Sequence, residues 1–341
     1  MSPNPLALLR LSGTASRKEA WIVTLASLAV TFGVLGAIAA APGAAGQLRP
    51  LLVLVALASL ARIATLVRRL HDAGRSGLWG LVLVLPLLGV IATLAILLLR
   101  PAEQKFTPQG GWHMAGKALI GLGLIVAASL PFWQPFWIPA GSMKPALLPG
   151  DYLIATPLRG RAVSRGDLII FRHPVRDVDF VKRVIGLPGD RVQMVGGQVV
   201  LNGTVLPQAD AAPFIEPMAP QGPSATMPHC ANALTGPGAD CIKPARIESL
   251  EGKSYRVLDI AAGGMADDTE VFTVPPGHVF VLGDNRDNSL DSRMPLSIGG
   301  VGFVPFDKLI ARPRLVLFSA AGQSWFDVGS WRAGRYLMRV E

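Results

Sequence analysis

Acidic residues are nearly missing from the first 138 positions, where Glu19, Asp72 and Glu103 stand against eleven lysines and arginines. The remainder of the 341-residue chain holds 21 basic and 20 acidic residues, so the formal net charge of +9 belongs almost wholly to the first part. Those cations flank apolar runs and are not interleaved with aromatics, which argues against a nucleic-acid surface and for charges that border membrane spans. Cysteine is scarce as well. Only Cys230 and Cys241 occur, and neither belongs to a CxxC. With His229 as their one neighbouring histidine they do not make a metal set, and no metal is expected. A ten-residue spacer rich in Gly, Ala and Pro lets them close a small loop, a candidate disulfide in an oxidising compartment. No serine sits in a GxSxG, and the second half has only His173, His229 and His278. A Ser-His-Asp hydrolase is therefore the weaker enzymatic reading.

Long apolar runs are plentiful, and they lie before residue 138. They cover Trp21 to Ala41, Leu51 to Val67 (interrupted by Arg62), Leu78 to Leu99 (containing Pro86 and Gly89) and Ala118 to Trp137. A span needs about 20 apolar residues, so the second run is marginal. No small-residue cleavage pattern bounds the first run, which reads as an anchor. Two topologies stay open. If all four runs span and the part after residue 138 is outside, the basic RRLHDAGRSG loop at Arg68 to Gly77 is outside too, against the positive-inside tendency. If the third run is re-entrant, turning at Pro86 and Gly89, the N-terminus, that loop and the Arg100–Lys117 linker are inside. His71 and Asp72 form a tempting acid–base pair, but a solvated loop at the headgroups is the expectation for RRLHD.

From Pro139 the pattern changes to short β-type runs between Gly/Pro turns: DYLIA, DLIIF, FVKRVIG, DRVQMV, QVVLNG, HVFVLGD and RLVLFS. This predicts a mainly-β domain of hairpins, with an insertion at about 207–253 on its surface that carries both cysteines. Three blocks in it carry chemistry. Ser142 lies in IPAGSMKPALLPGD, after a glycine that permits close approach of a substrate backbone. Lys182 lies in FVKRVIG, where Phe180 and Val184 share its face of a strand, and an amine among apolar neighbours favours its neutral form. Such a lysine can act as base to a serine without a histidine. Lys144 is a competitor, but its Pro-flanked turn is expected to be solvated. The third block, GDNRDNSLDSR at Gly283 to Arg293, is either a plain polar turn or a loop that packs on the pair. In the second case Ser289 orients the lysine amine while Asp291 and Arg293 pair.

Taken in order, IPAGSMKPALLPGD, RGDLIIF, FVKRVIGLPGD, GDNRDNSLDSR and the closing GFVPFDKLIARPRLVLFS resemble bacterial type I signal peptidase. The first hundred residues resemble the membrane domain of unknown function DUF805, through SRKEAW and RRLHDAGRSGLW. The resemblance implies a multi-pass α-helical membrane domain at 1–105, a linker and last transmembrane helix at 106–138, and a β-rich catalytic domain at 139–341. It implies Ser142 as nucleophile, Lys182 as general base, Ser289 as the residue orienting Lys182, and an Asp291–Arg293 structural pair. Phe136, Ile138, Met143, Leu147, Phe180 and Val181, with Ala140, would line pockets for small substrate residues (Ala-x-Ala sites). Many relatives have a serine at the position of Ala140, so the oxyanion hole here would rely on backbone, chiefly the N–H of Ser142. No cofactor is implied. The implied partners are signal-peptide-bearing preproteins, the lipid bilayer and the secretion translocon, and the implied place is the bacterial inner membrane with the catalytic domain on the periplasmic face. A membrane-anchored scaffold with a decayed peptidase domain is the non-enzymatic alternative.

Overall fold

The computed structural model describes residues 9–40, 51–84, 86–107, 132–158, 163–232, 236–324 and 327–340, with the single positions 125 and 129. It divides into two compact units, Met1–Phe132 and Trp133–Glu341.

In the first unit, α1 (Arg17–Ala40) takes up the first apolar run. Ser16 Oγ accepts from the Glu19 N–H and caps the helix start. The second run lies in α2 (Leu52–Asp72). The third divides into a 3-10 segment, Gly77–Val84, and the 13-residue α3 (Pro86–Leu98). The division falls at Pro86, which lacks the N–H an uninterrupted helix would need, while Gly89 lies inside α3 and makes no turn. At about 20 Å, α3 is shorter than a bilayer core of about 30 Å. Among the described residues one helix, at Arg17–Ala37, is long and apolar enough to cross a membrane. The expected multi-pass domain is thus not confirmed beyond this one candidate span, and most of the fourth run lies outside the described residues.

The RRLHD segment corrects the sequence expectation. It is the last turn of α2 and is buried, not a solvated loop: Arg69 is 0 % and His71 3 % exposed. Arg69 pairs with Asp72 and donates to the Leu99 carbonyl, and Arg68 reaches Glu19 at 3.0 Å. His71 Nδ1 lies 3.2 Å from the Gly13 carbonyl and its ring packs on Phe106. The polar residues are thus consumed in fastening the ends of the unit's helices, which removes the reason to see His71 and Asp72 as a catalytic pair.

The second unit contains β1 (Gln134–Trp137), β2 (Asp151–Pro157), β3 (Leu168–Arg172), β4 (Asp179–Gly186), β5 (Arg191–Val195), β6 (Gln198–Leu201), β7 (Thr204–Val205) and β8 (Gln208–Pro217). After them come β9 (Asp240–Leu250), β10 (Lys253–Leu258), β11 (Phe272–Thr273), β12 (His278–Leu282), β13 (Val304–Pro305), β14 (Leu309–Ser319) and β15 (Met338–Arg339). The main sheet runs β1-β2-β14-β3-β4-β12-β13, with β15 on β14, and its pairs are antiparallel. Smaller sheets, β11-β5-β6-β7 and β10-β9-β8, complete a mainly-β unit. The hydrophobic alternation of the sequence runs supplies its cores: Ile169, Phe171, Val184, Val279 and Val281 form one, Ile185, Val192, Met194, Val257 and Phe280 another.

Two differences from the sequence reading matter. β1 takes the end of the fourth apolar run into the sheet, ahead of residue 139. The segment at 207–253 is not irregular but forms most of the separate β8–β9–β10 sheet and holds the Cys230–Cys241 disulfide. Its alternation is masked because charged residues occupy inward positions. Lys243 shares a face with Cys241 and Ala245, and all three are buried.

Candidate active site

Ser142 lies in the connection from β1 to β2 and Lys182 on β4, opposite Ile169 of β3. The Lys182 Nζ and Ser142 Oγ are 2.6 Å apart. Lys182 is 2 % exposed, and burial pushes its amine down to about 8, with Asp291 opposing the shift and Arg293 adding to it. The Phe180 ring, on the same face of β4, lies 5.6 Å from Nζ.

The Gly283–Arg293 loop holds both elements. The Asn285 N–H donates to the Ser142 carbonyl at 3.1 Å and its side-chain amide to the Gly141 carbonyl at 3.0 Å. Among the described residues no group accepts from the Ser142 N–H, so that donor is available to an oxyanion. Arg293 grips Asp291 through two 2.9 Å hydrogen bonds, both residues being buried. Although burial opposes its ionisation, Arg293 holds the Asp291 carboxyl below the usual range. Asp284 is likewise gripped by Arg183 at 2.8 and 2.7 Å, and Arg183 stacks 3.8 Å from the Tyr255 ring. The acids around Lys182 thus have their own cations, which lets desolvation govern the amine.

Ser289 is close by without making the expected contact. Its Oγ is buried and makes no hydrogen bond in this structure, so no Ser289–Lys182 bond is present. Gly283 sits against it. A Cβ there would come within 2.2 Å of Ser289 Oγ and 2.7 Å of the Ser142 carbonyl oxygen. Ala140 is exposed and brings no donor.

The six apolar residues divide. Ile138, Met143 and Leu147 are buried in one cluster, with Phe136 and Val181 packed on it and partly open. Phe180 packs on a different cluster. The cause is the strand period of two, which sends Phe180 and Val181 to opposite faces of β4. His173, by contrast, has no free ring nitrogen: Nδ1 accepts from Val175 and Arg176, and Nε2 faces the Gly300 carbonyl at 3.2 Å.

Sequence reasoning misjudged the surroundings of Lys144. It is not solvated but 3 % exposed, and its Nζ donates to Glu216 at 2.6 and 2.8 Å and to Gln221 at 2.9 Å. Glu216 also receives Lys243. Burial pushes Lys144 down to about 8, against the pull of Glu216. Glu216 in turn, despite its burial, is held below the usual carboxylate range by Lys144 and Lys243, so the pair is ionised. An ammonium locked to a carboxylate is not a base, which removes the competitor by a route other than solvation. The one sequence signal was Lys243 at an inward position of β9.

The family described as signal peptidase, peptidase S26, matches residues 112–318, and the protein of unknown function DUF805 matches residues 8–108. Signal peptidase I of Rickettsia canadensis is 32 % identical over 224 residues, covering 57 % of this chain and 74 % of that one. Signal peptidase I of Rickettsia akari is 29 % identical over 255 residues, covering 66 % and 84 %. A crystal structure of a signal peptidase I from Enterococcus faecalis aligns at 22 % identity over 44 % of this chain and 94 % of that one, with a TM-score of 0.22, too low to bear on the fold.

Proposed function

The chain belongs to the signal peptidase family, peptidase S26, and from that membership we propose that it removes N-terminal signal peptides from exported preproteins with Ser142 as nucleophile and Lys182 as general base. The observation that carries the dyad is the 2.6 Å approach of a desolvated lysine amine to the Ser142 hydroxyl.

Neutral Lys182 takes the Ser142 proton as Oγ attacks the carbonyl carbon before the cleavage site. The Ser142 N–H stabilises the oxyanion, the part of the hole left to backbone where Ala140 stands. Collapse expels the amine of the mature protein, which receives its proton from Lys182. Lys182 then deprotonates a water that hydrolyses the acyl-enzyme and frees the signal peptide as a carboxylate. For Ser289 to orient the amine during this cycle its side chain must shift toward Lys182, and its Oγ has no competing partner to give up. Asp291 and Arg293 keep its loop in place.

Small residues before the cut are favoured because the walls at Phe136 and Val181 stand on a floor already filled by Ile138, Met143 and Leu147. An extended substrate has a strand to lie beside, since β12 pairs with β4 only from Arg183, leaving Asp179 to Lys182 with β3 alone in the sheet. The apolar α1 and the DUF805 match support membrane association. The inner membrane, a periplasmic catalytic unit and a translocon partner follow from the family reading.

The test is preprotein cleavage by the full chain in detergent. Ser142→Ala and Lys182→Met should each abolish it. The base works only when unprotonated, so kcat/KM should fall as pH drops through about 8 and level off above it. Cleavage surviving both substitutions would overturn the dyad.

A further inference from the structure

We propose that Asp259, Asp267 and Asp287 form a binding site for a hard divalent cation of the calcium type, which ties the loop after β10 to the Gly283–Arg293 loop. One carboxylate oxygen from each residue lies within 4.8 Å of the others. Oxygens around a calcium ion at about 2.3–2.6 Å can be no further apart than about twice that distance. The three therefore fit one coordination sphere.

The second observation is what lifts these residues above an ordinary acidic cluster. Asp267 is 3 % exposed and its Oδ1 is buried with no hydrogen-bond partner; Asp259 Oδ1 is in the same condition. A buried carboxylate oxygen without a donor is costly unless something positive faces it. Two of the other oxygens are already occupied. Asp267 Oδ2 accepts from the Gly264 N–H at 2.7 Å, and Asp287 Oδ2 from Ile260 and Ala261 at 2.6 and 2.9 Å. These bonds fix the Asp267 and Asp287 carboxylates, and Asp259 lies within hydrogen-bond reach of Asp287. Two glycines line the place: a Cβ at Gly264 would meet Asp287 Oδ1 at 2.8 Å and Asp267 Oδ1 at 3.3 Å, and one at Gly197 would meet Asp259 Oδ2 at 3.0 Å.

Arg286, whose charge favours the ionised form of Asp259, is itself paired with Glu248 at 2.6 and 3.1 Å. Burial, with Asp287 and Asp267 alongside, pushes the Asp259 carboxyl up to about 6. An all-carboxylate set without Cys or His selects calcium or magnesium over zinc. Asp287 is exposed, which gives the ion a path from solvent. Backbone carbonyls and water would supply the remaining ligands.

The test uses the full chain in a non-ionic detergent, stripped with EDTA and titrated with CaCl2 at pH 7.5 by calorimetry and thermal unfolding. One saturable site is expected, half-filled in the range of about 10⁻⁴–10⁻³ M, with a Tm that rises with calcium. Asp259→Asn and Asp267→Asn should weaken binding at least tenfold and remove the calcium-dependent rise. In EDTA, Asp259→Asn should unfold no earlier than the unaltered chain, since it relieves like-charge repulsion, so its loss of binding cannot be ascribed to misfolding. No saturable binding up to about 10 mM would overturn the proposal. So would binding that persists in Asp259→Asn, or a Tm indifferent to calcium and governed only by titration near pH 6.

Discussion

Lys182 shows how much a single side chain can cost the fold that uses it. Its amine titrates near 8 in the folded chain, below its unfolded value of about 10.4. The unfolded chain therefore binds more protons between those two values, and this residue's contribution to stability rises with pH across that window. At pH 7 the buried ammonium opposes folding. Lys182→Met, expected to be inactive in cleavage, should consequently raise Tm by several degrees at pH 7, with the gain shrinking as pH rises from about 8 to about 10.4. The acids near it do not become orphans, because Asp291 keeps Arg293 and Asp284 keeps Arg183. Gly283 makes a second case at this scale. With hydroxyl and backbone oxygens at 2.2 and 2.7 Å from any added Cβ, Gly283→Ala must displace Ser289 or the Ser142 backbone. A loss of at least a hundredfold in kcat is expected with a smaller change in KM, read from the same preprotein assay.

At the level of elements, the β8–β9–β10 sheet supports the nucleophile loop through charge. Glu216 on β8 takes Lys144, two residues after Ser142, and Lys243 on β9. Removing the acid leaves two ammonium groups buried together. Glu216→Gln should destabilise by about 3–5 kcal/mol, seen as a lower Tm, and should slow cleavage by loosening the Ser142 loop. The sequence made Ser142, Lys182 and the Gly283–Arg293 loop legible because each lies in a short run whose order and residue types are characteristic. Lys144 was misread because its partner is 72 residues away in a segment of Pro, Ala and Gly that looked like a surface insertion. RRLHD was misread for the same reason. A charged run looks solvated until the partners that bury it, Glu19, Gly13 and Leu99, are brought in from distant parts of the chain. Strands with regular alternation were plain in the sequence. Those that face charge inward were not.

For the molecule as a whole, the charge asymmetry and the candidate span at Arg17–Ala37 among the described residues set the membrane expectation. The basic residues of the first unit and the Arg100–Lys105 stretch favour the cytoplasmic side. The Arg68–Gly77 stretch is where the two topologies differ: a reporter joined after Gly77 should give a cytoplasmic signal if the third run is re-entrant, and an outside signal there would exclude that topology.

The place of β14 in the main sheet has a bearing on when the enzyme comes into being. β14 is made late, at Leu309–Ser319, yet it is inserted between β2 and β3. Before it emerges from the ribosome, the strands on its two sides are separate hairpins, one leading into Ser142 and the other carrying Lys182. Ser142 and Lys182, the proposed nucleophile and base, thus lie on opposite sides of a gap that only β14 fills. A partly made chain is an unarmed one, and a chain cut short of residue 309 should be silent as a protease rather than merely weak.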